Sequence, residues 1–370
     1  MRFLILSGST GGGHNSAAMA IKEYCEAQGN ECEIKDALTF CSEGKAYLVN
    51  NGHVFIYKKA PKLFGLFYHL LEKKPKEEGN NSILYDIITF GGKGLYKYLK
   101  ANHYDAIICT HIFAGMLVTH IKAKYNLDIK IHLVATDYTC SPGAYEVDAD
   151  YIFIPHRYLL DEFKSYGIKE EKLISSGIPV RSSFYERTDK LTAKKDLGLP
   201  TDKKIVLLMG GSMGCGPIAK LSETICKKMA EDSHLVVISG NNKKLYKELK
   251  KINAKNLTVI SFTDRVPLYM DASEVILSKA GGLSSTETLT KGLPLILIDA
   301  VPGCESRNLA FLTRHGFAKS GNGIENLADV VCDYLNDPKK IAETKALLEK
   351  EFSLVSAKII IDVVMENVNK

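Results

Sequence analysis

Nowhere in the chain is there an apolar run of about 18 residues, so no segment is expected to cross a bilayer as a helix. The opening "MRFLILSG" has one basic residue and a short apolar run from Phe3 to Leu6, too little for the apolar region of a secretory signal. A protein made and kept in the cytoplasm is the expectation. The cysteines number nine, odd and without a C-x-x-C pair, which argues against a disulfide framework or a structural zinc cluster and for reduced thiols. Cys215 and Cys304 lie near the motifs below and are read as small, half-buried filler. Low-complexity tracts are missing too: with 45% hydrophobic and 25% charged residues the composition is that of a folded protein.

What is present begins with length. At 370 residues the chain exceeds the size at which one core keeps growing, which predicts two domains. The net charge of +5 is unevenly spread. Between Lys45 and Lys100 stand ten lysines against four acidic residues, so this one segment accounts for the whole imbalance.

Strand-like apolar runs alternate with helical patterns in both halves, the signature of α/β architecture with parallel sheets. In the first half "RFLILS" leads to a helix from about His14 to Gln28, and "CEIKDA", "YDAIICT" and "IKIHLVAT" supply further strands. They end at Gly8, Asp36, His111 and Asp137, positions that can converge on one crevice at the carboxyl edge of a sheet. The pattern restarts at "KKIVLLMGGSMG", with a helix near Gly216, then "HLVVIS", a helix over Lys243 to Ile252, "LTVIS", "EVILSKAGG", a helix from Ser284 and "LPLILID". Charged, prolyl Pro179 to Lys203 reads as the linker. Two doubly wound domains facing across a cleft are expected, at 1–180 and 200–353. A last helix over about 354–370 carries an apolar stripe at Val355, Ile359, Ile360, Val363 and Val364; which domain receives it is open.

Two stretches carry chemistry. In "SKAGGLSSTETLTKGLP" a strand ends, two glycines permit a sharp turn, and a helix starts with Glu287 in its first turn. Free amides at a helix start attract a diphosphate, and Glu287 could accept hydrogen bonds from ribose hydroxyls. The plainer alternative is a Ser284–Glu287 capping box. "AVPGCESRN" then brings Glu305 and Asn308 to a second helix start, and the pair suits a nucleotide sugar. Neither glycine motif holds a D-x-D stretch, so no metal or other cofactor is expected.

With these residues in view, "FTDRVPLYMDASEVILSKAGGLSSTETLTKGLPLILIDAVPGCESRN" resembles the donor-binding half of two-domain, metal-independent glycosyltransferases of GT-B type that use UDP-sugars. "GGGHNSAA" is similar to their N-terminal motif. "HLVATDYTCSPGAYEVDADYIFIPHRYLLDEFKSYGIKEEKLISSGIPVR" resembles the diacylglycerol glycosyltransferase family, comprising plant monogalactosyldiacylglycerol synthases and bacterial processive diacylglycerol glucosyltransferases. The likeness runs from Phe3 to about Ala318 and weakens across the basic segment. It implies that Phe262 and Thr263 hold uracil and Glu287 the ribose. It further implies that Gly211 and Ser212, with Gly282, Leu283, Ser284 and Ser285, hold the diphosphate, and that Glu305 and Asn308 meet the hexose. Cys304 stands where the family often has glutamine.

"LSGSTGGGHNSAA" sets His14 behind three glycines at a helix start, where the positive helix end favours the neutral ring that a general base needs. Gly12 and Gly13 would let backbone approach the acceptor. His14 could instead only cap the helix or steady a phosphate, and Asp137 is the rival base, itself alternatively a turn cap. The resemblance implies inversion to a β-glycoside.

"YKKAPKLFGLFYHLLEKKPK" mixes lysines with aromatics and suits an anionic membrane surface, with Lys58, Lys59, Lys62, Phe64, Phe67, Lys73 and Lys74 as contacts. An amphipathic helix with a solvated basic rim is the plainer reading, and no nucleic-acid motif accompanies the charge. The expectation is a peripheral enzyme on the cytoplasmic membrane face that moves a hexose, glucose or galactose, from a UDP-sugar to diacylglycerol. Its rivals are transfer to a polyprenyl-linked acceptor, a nicotinamide oxidoreductase suggested by "GSTGGG" and Asp36, and a UDP-sugar sensor without catalysis.

Overall fold

The computed structural model describes residues 1–8, 12–40, 92–210, 217–298 and 303–370. The basic segment, with Lys58, Lys59, Lys62, Phe64, Phe67, Lys73 and Lys74, lies outside the described residues, as do Gly211 and Ser212. Among the described residues no helix is long and apolar enough to cross a membrane.

The chain forms two compact units. Unit 1 holds Met1–Ser182, Val301–Arg307 and Leu354–Lys370; unit 2 holds Ser183–Ala300 and Asn308–Ser353. Helix Cys304–Arg314 is thus shared between them, dividing after Arg307.

Unit 1 is built on six parallel strands: β1 (Arg2–Ser7), β2 (Glu31–Asp36), β3 (Ala106–Cys109), β4 (Lys130–Val134), β5 (Tyr151–Ile154) and β6 (Leu173–Ser175). Their spatial order is β2-β1-β3-β4-β5-β6. Phe3 to Leu6 and Ala106 to Cys109 are buried without alternation, as strands covered by helices on both faces must be. From β1 the chain goes out to β2, then returns to β3 on the other side of β1 and continues to β4. Neighbouring strands whose onward connections diverge leave a crevice at their carboxyl ends, here between β1 and β3.

The last helix, Ser356–Val368, belongs to unit 1. Ile360, Ile361 and Val364 pack with Phe3, Ile5 and Phe153, each contributing roughly 1.5–3 kcal/mol through burial. The buried stripe also takes in Ala357, while Val355, expected in it, is the exposed N-cap. The helix begins one residue past Val355, and Ile359 and Val363, also expected in the stripe, are half-buried. Where it starts, Gly177 has φ +84° and a Cβ there would lie 2.6 Å from Ser356 Oγ, so both handedness and space demand glycine.

Unit 2 repeats the plan with β7 (Lys204–Met209), β8 (Ser233–Ile238), β9 (Leu257–Ile260), β10 (Val275–Ser278), β11 (Leu295–Leu297) and β12 (Lys319–Ser320), in the order β12-β11-β10-β7-β8-β9. The divergence here falls between β7 and β10. The stretch expected as a bare linker contains helix Lys190–Asp196, whose N-cap Asp189 accepts from the Thr192 amide. Its buried residues are only Ala193 and Lys194, too few to show as an apolar period.

One core residue of unit 1 is at odds with its surroundings. His132 in β4 is fully buried, and among the described residues neither ring nitrogen has a hydrogen-bond partner. Burial pushes its pKa down to about 4, against the opposing charge of Asp150 and with the help of Lys130. The unfolded chain therefore binds this proton more tightly, and stability falls as pH drops from about 6.5 toward 4, by about 3 kcal/mol at the lower end. His132→Leu should remove much of this acid sensitivity, read as the change in urea midpoint between pH 7 and pH 5; an unchanged difference would place the sensitivity elsewhere.

Candidate active site

In unit 1 the site starts where β1 ends. Ser7 donates from its hydroxyl to Asn15 Oδ1 at 2.6 Å, tying the strand end to helix Gly12–Ala27, which begins two residues ahead of His14. Gly8 is required by the protein itself: a Cβ there would lie 2.9 Å from both Cγ and Cδ2 of His111. At Gly12 a Cβ would meet nothing within 4 Å among the described residues, whose packing gives no reason for that glycine.

His14 is half-buried. Its Nδ1 lies 2.9 Å from the Thr110 carbonyl oxygen, just past β3, and 2.8 Å from Thr136 Oγ1, just past β4. The His111 ring meets it edge to face, centroids 4.4 Å apart and planes at 70°. His111 is itself fixed as the N-cap of helix Ile112–Tyr125, its Nδ1 accepting from the Phe113 amide at 3.1 Å. Burial holds the His14 pKa below its ordinary value, opposed first by the charge of Asp137 and then by the Thr110 carbonyl. The ring is therefore neutral near pH 7 and can accept a proton.

Asp137 acts on His14 through its charge. The tight turn after it is closed by its backbone, the Thr139 amide donating to the Asp137 carbonyl at 2.7 Å. Glu162 anchors the following residues, accepting from the Thr139 hydroxyl at 2.6 Å and the Cys140 amide at 2.8 Å. Thr110, Thr136 and Glu162 are the parts that sequence reasoning missed. The only signal was position: the two threonines lie within two residues of strand ends already marked by His111 and Asp137.

In unit 2, helix Gly282–Thr290 begins two residues earlier than expected, and its N-cap is Gly281 (φ −74°, ψ 138°) with no side-chain cap. Ser284 is the third residue of the helix, so the capping-box alternative is excluded. The first-turn amides of Gly282, Leu283 and Ser284 receive no cap from Gly281 and carry the partial positive charge of the helix end. The hydroxyls of Ser278 and Ser285 are buried there with no partner among the described residues. Glu287 is half-buried one turn in.

Asn308 is fully buried, and its amide donates to the Ala280 carbonyl at 2.9 Å, bracing the turn that opens the helix. Glu305 and Cys304 are half-buried in the first turn of helix Cys304–Arg314, on the unit 1 side of the division. Past the end of β9, Phe262 is 66% exposed and the Thr263 hydroxyl accepts from the Arg265 amide at 3.1 Å. At the far end of helix Gly282–Thr290, Lys291 Nζ lies 2.8 Å from both Asp271 carboxylate oxygens and 2.6 Å from the Glu186 carbonyl. Lys291 and Asp271 side chains are 1% and 7% exposed, so loss of either would strand a buried charge at a cost of about 3–5 kcal/mol.

Residues 14–180 match the family model of monogalactosyldiacylglycerol (MGDG) synthase, and residues 205–308 that of the glycosyltransferase family 28 C-terminal domain. The processive diacylglycerol beta-glucosyltransferase of Bacillus licheniformis is 26% identical over 368 residues, covering 98% of this chain and 94% of the relative. A probable chloroplastic monogalactosyldiacylglycerol synthase of Nicotiana tabacum is 28% identical over 364 residues, covering 94% and 67%. Among solved structures, MurG of Acinetobacter baumannii superposes with a TM-score of 0.64 at 14% identity, covering 98% and 99% of the two chains. The rhamnosyltransferase SpnG with thymidine diphosphate gives 0.65 at 12% identity over 98% and 100%. Two parallel six-stranded sheets flanked by helices, with such neighbours, define the GT-B fold. Within that class the chain belongs to the MGDG synthase and glycosyltransferase family 28 group.

Gly8→Ala should force the His111 ring off the end of β1 and cost about 1–3 kcal/mol in unit 1. Thermal unfolding measures it, and a melting temperature equal to wild type would mean that the ring shifts freely.

Proposed function

We propose that the protein transfers a hexose, glucose by expectation and galactose as the alternative, from a UDP-sugar to the hydroxyl of diacylglycerol, inverting the anomeric centre. The observation that carries this reading is the family match over residues 14–180, which opens on His14 itself, joined to relatives aligned along nearly the whole chain. In this reading His14 takes the proton of the attacking hydroxyl, and Asp137 favours the imidazolium that results. Gly12 and Gly13 let the acceptor come close.

On the donor side, the first-turn amides of Gly282, Leu283 and Ser284 stabilise the departing diphosphate, with Ser285 and, as the resemblance implies, Gly211 and Ser212. Glu287 accepts from the ribose hydroxyls, Phe262 and Thr263 hold the uracil, and Glu305 meets the hexose. Asn308 serves by bracing the glycine turn. Lys58, Lys59, Lys62, Phe64, Phe67, Lys73 and Lys74 meet an anionic membrane, which places the enzyme at the membrane's cytoplasmic face as a peripheral protein.

The test is incubation with UDP-glucose or UDP-galactose, each with diacylglycerol in anionic vesicles, followed by mass analysis of the lipids. A hexosyl-diacylglycerol product is expected, and His14→Ala should lower turnover by about 100-fold or more with UDP binding retained. UDP-sugar binding without UDP release in the presence of lipid would overturn the enzyme reading, and product formed only on a polyprenyl-linked lipid would overturn the acceptor.

A further inference from the structure

A ring nitrogen that faces a carbonyl oxygen has its protonation decided for it. His14 Nδ1 lies 2.9 Å from the Thr110 carbonyl oxygen, which has no hydrogen to give. A bare Nδ1 would set two lone pairs against each other at that distance; with the proton on Nδ1 the contact becomes a hydrogen bond. In neutral imidazole the lone pair then falls to Nε2. Thr136 Oγ1, 2.8 Å from the same Nδ1, is a second acceptor for the one hydrogen.

We infer that the Thr110 carbonyl and the Thr136 hydroxyl together lock His14 as its Nδ1–H tautomer, so that Nε2 is the atom that takes the acceptor's proton, and that Thr136 is a positioning residue for the transfer. This rests on the proposal that His14 is the base. The two oxygens are spaced by the sheet: β3 and β4 are paired in register with Cys109 opposite Leu133, and the threonines follow one and two residues past the strand ends. Thr136 is buried, so water competes poorly for its oxygen.

The titratable groups facing the ring among the described residues are Asp137 and His111. His111 already spends its own Nδ1 on the Phe113 amide. Asp137 biases the ring by charge. A carbonyl and a hydroxyl orient the ring without the large basicity that a bonded carboxylate would add, which leaves it unprotonated at neutral pH. As transfer proceeds, the acceptor O–H bond breaks and Nε2–H forms. The acceptor oxygen bonds to the anomeric carbon, and the bond from that carbon to the phosphate oxygen breaks, its electron pair leaving with UDP. Nδ1–H keeps both oxygens throughout, so the ring need not turn, and the proton on Nε2 later passes to water.

Nitrogen NMR of histidine-labelled full-length protein tests this, with the His14 signals assigned by their loss in His14→Gln. Wild type should show a protonated Nδ1 and a bare Nε2 at neutral pH. Thr136→Val keeps the shape and removes the oxygen that helps to hold the imidazolium. The midpoint of the His14 titration should fall by about one pH unit, kcat should fall several-fold at unchanged KM for the UDP-sugar, and Thr136→Ser should restore both. A bare Nδ1 in wild type overturns the inference, and so does a Thr136→Val protein with wild-type titration and kcat. Full activity in His14→Gln would remove the base reading instead, a separate outcome from the ring spectrum.

Discussion

Everything functional in this protein hangs on how parallel strands are ordered. A parallel ladder aligns all carboxyl ends along one edge, and wherever two adjacent strands send their chains in opposite directions, that edge opens. In unit 1 the opening lies between β1 and β3, and in unit 2 between β7 and β10. The helix that follows β1 presents His14 at the first, and the helix that follows β10 presents bare amides at the second. In the proposed function the same architecture thus offers a proton acceptor in one unit and an anion cradle in the other.

The two openings are stiffened by different means. Around His14 the supports are neutral: a peptide carbonyl, a hydroxyl and a second imidazole, each fixed by the backbone of a neighbouring strand end. Around the amide cradle, Asn308 braces the entering turn, while the buried Lys291–Asp271 pair pins the far end of the helix. A charged anchor is tolerable there because both ions are fully partnered. Set beside His14, a buried cation would raise the cost of protonating the ring.

Much of this was legible in the sequence. Strands buried on both faces print themselves as unbroken apolar runs, and their ends marked Gly8, His111 and Asp137, with His14 in the helix that follows Gly8. The glycine turn before Glu287 was equally plain. What escaped was whatever depends on distant partners. Thr110 and Thr136 look ordinary until pairing of β1, β3 and β4 gathers them around a ring about a hundred residues away in the chain. The Ser284–Glu287 pattern suggested a cap, yet glycine at the true cap lets the helix start earlier. Asn308, which the family resemblance assigned to sugar contact, also donates to the Ala280 carbonyl, a bond no spacing rule could reveal.

The return of helix Ser356–Val368 to unit 1 imposes an order on synthesis. When the ribosome has finished Ser182, the sheet of unit 1 lacks the side chains that cover Phe3, Ile5 and Phe153. At roughly 5–20 residues per second, the missing helix follows on the order of ten to thirty-five seconds later. For that interval the nascent chain carries an uncovered apolar face while unit 2 is still being translated, and a chaperone that binds such a face would find its longest opportunity there.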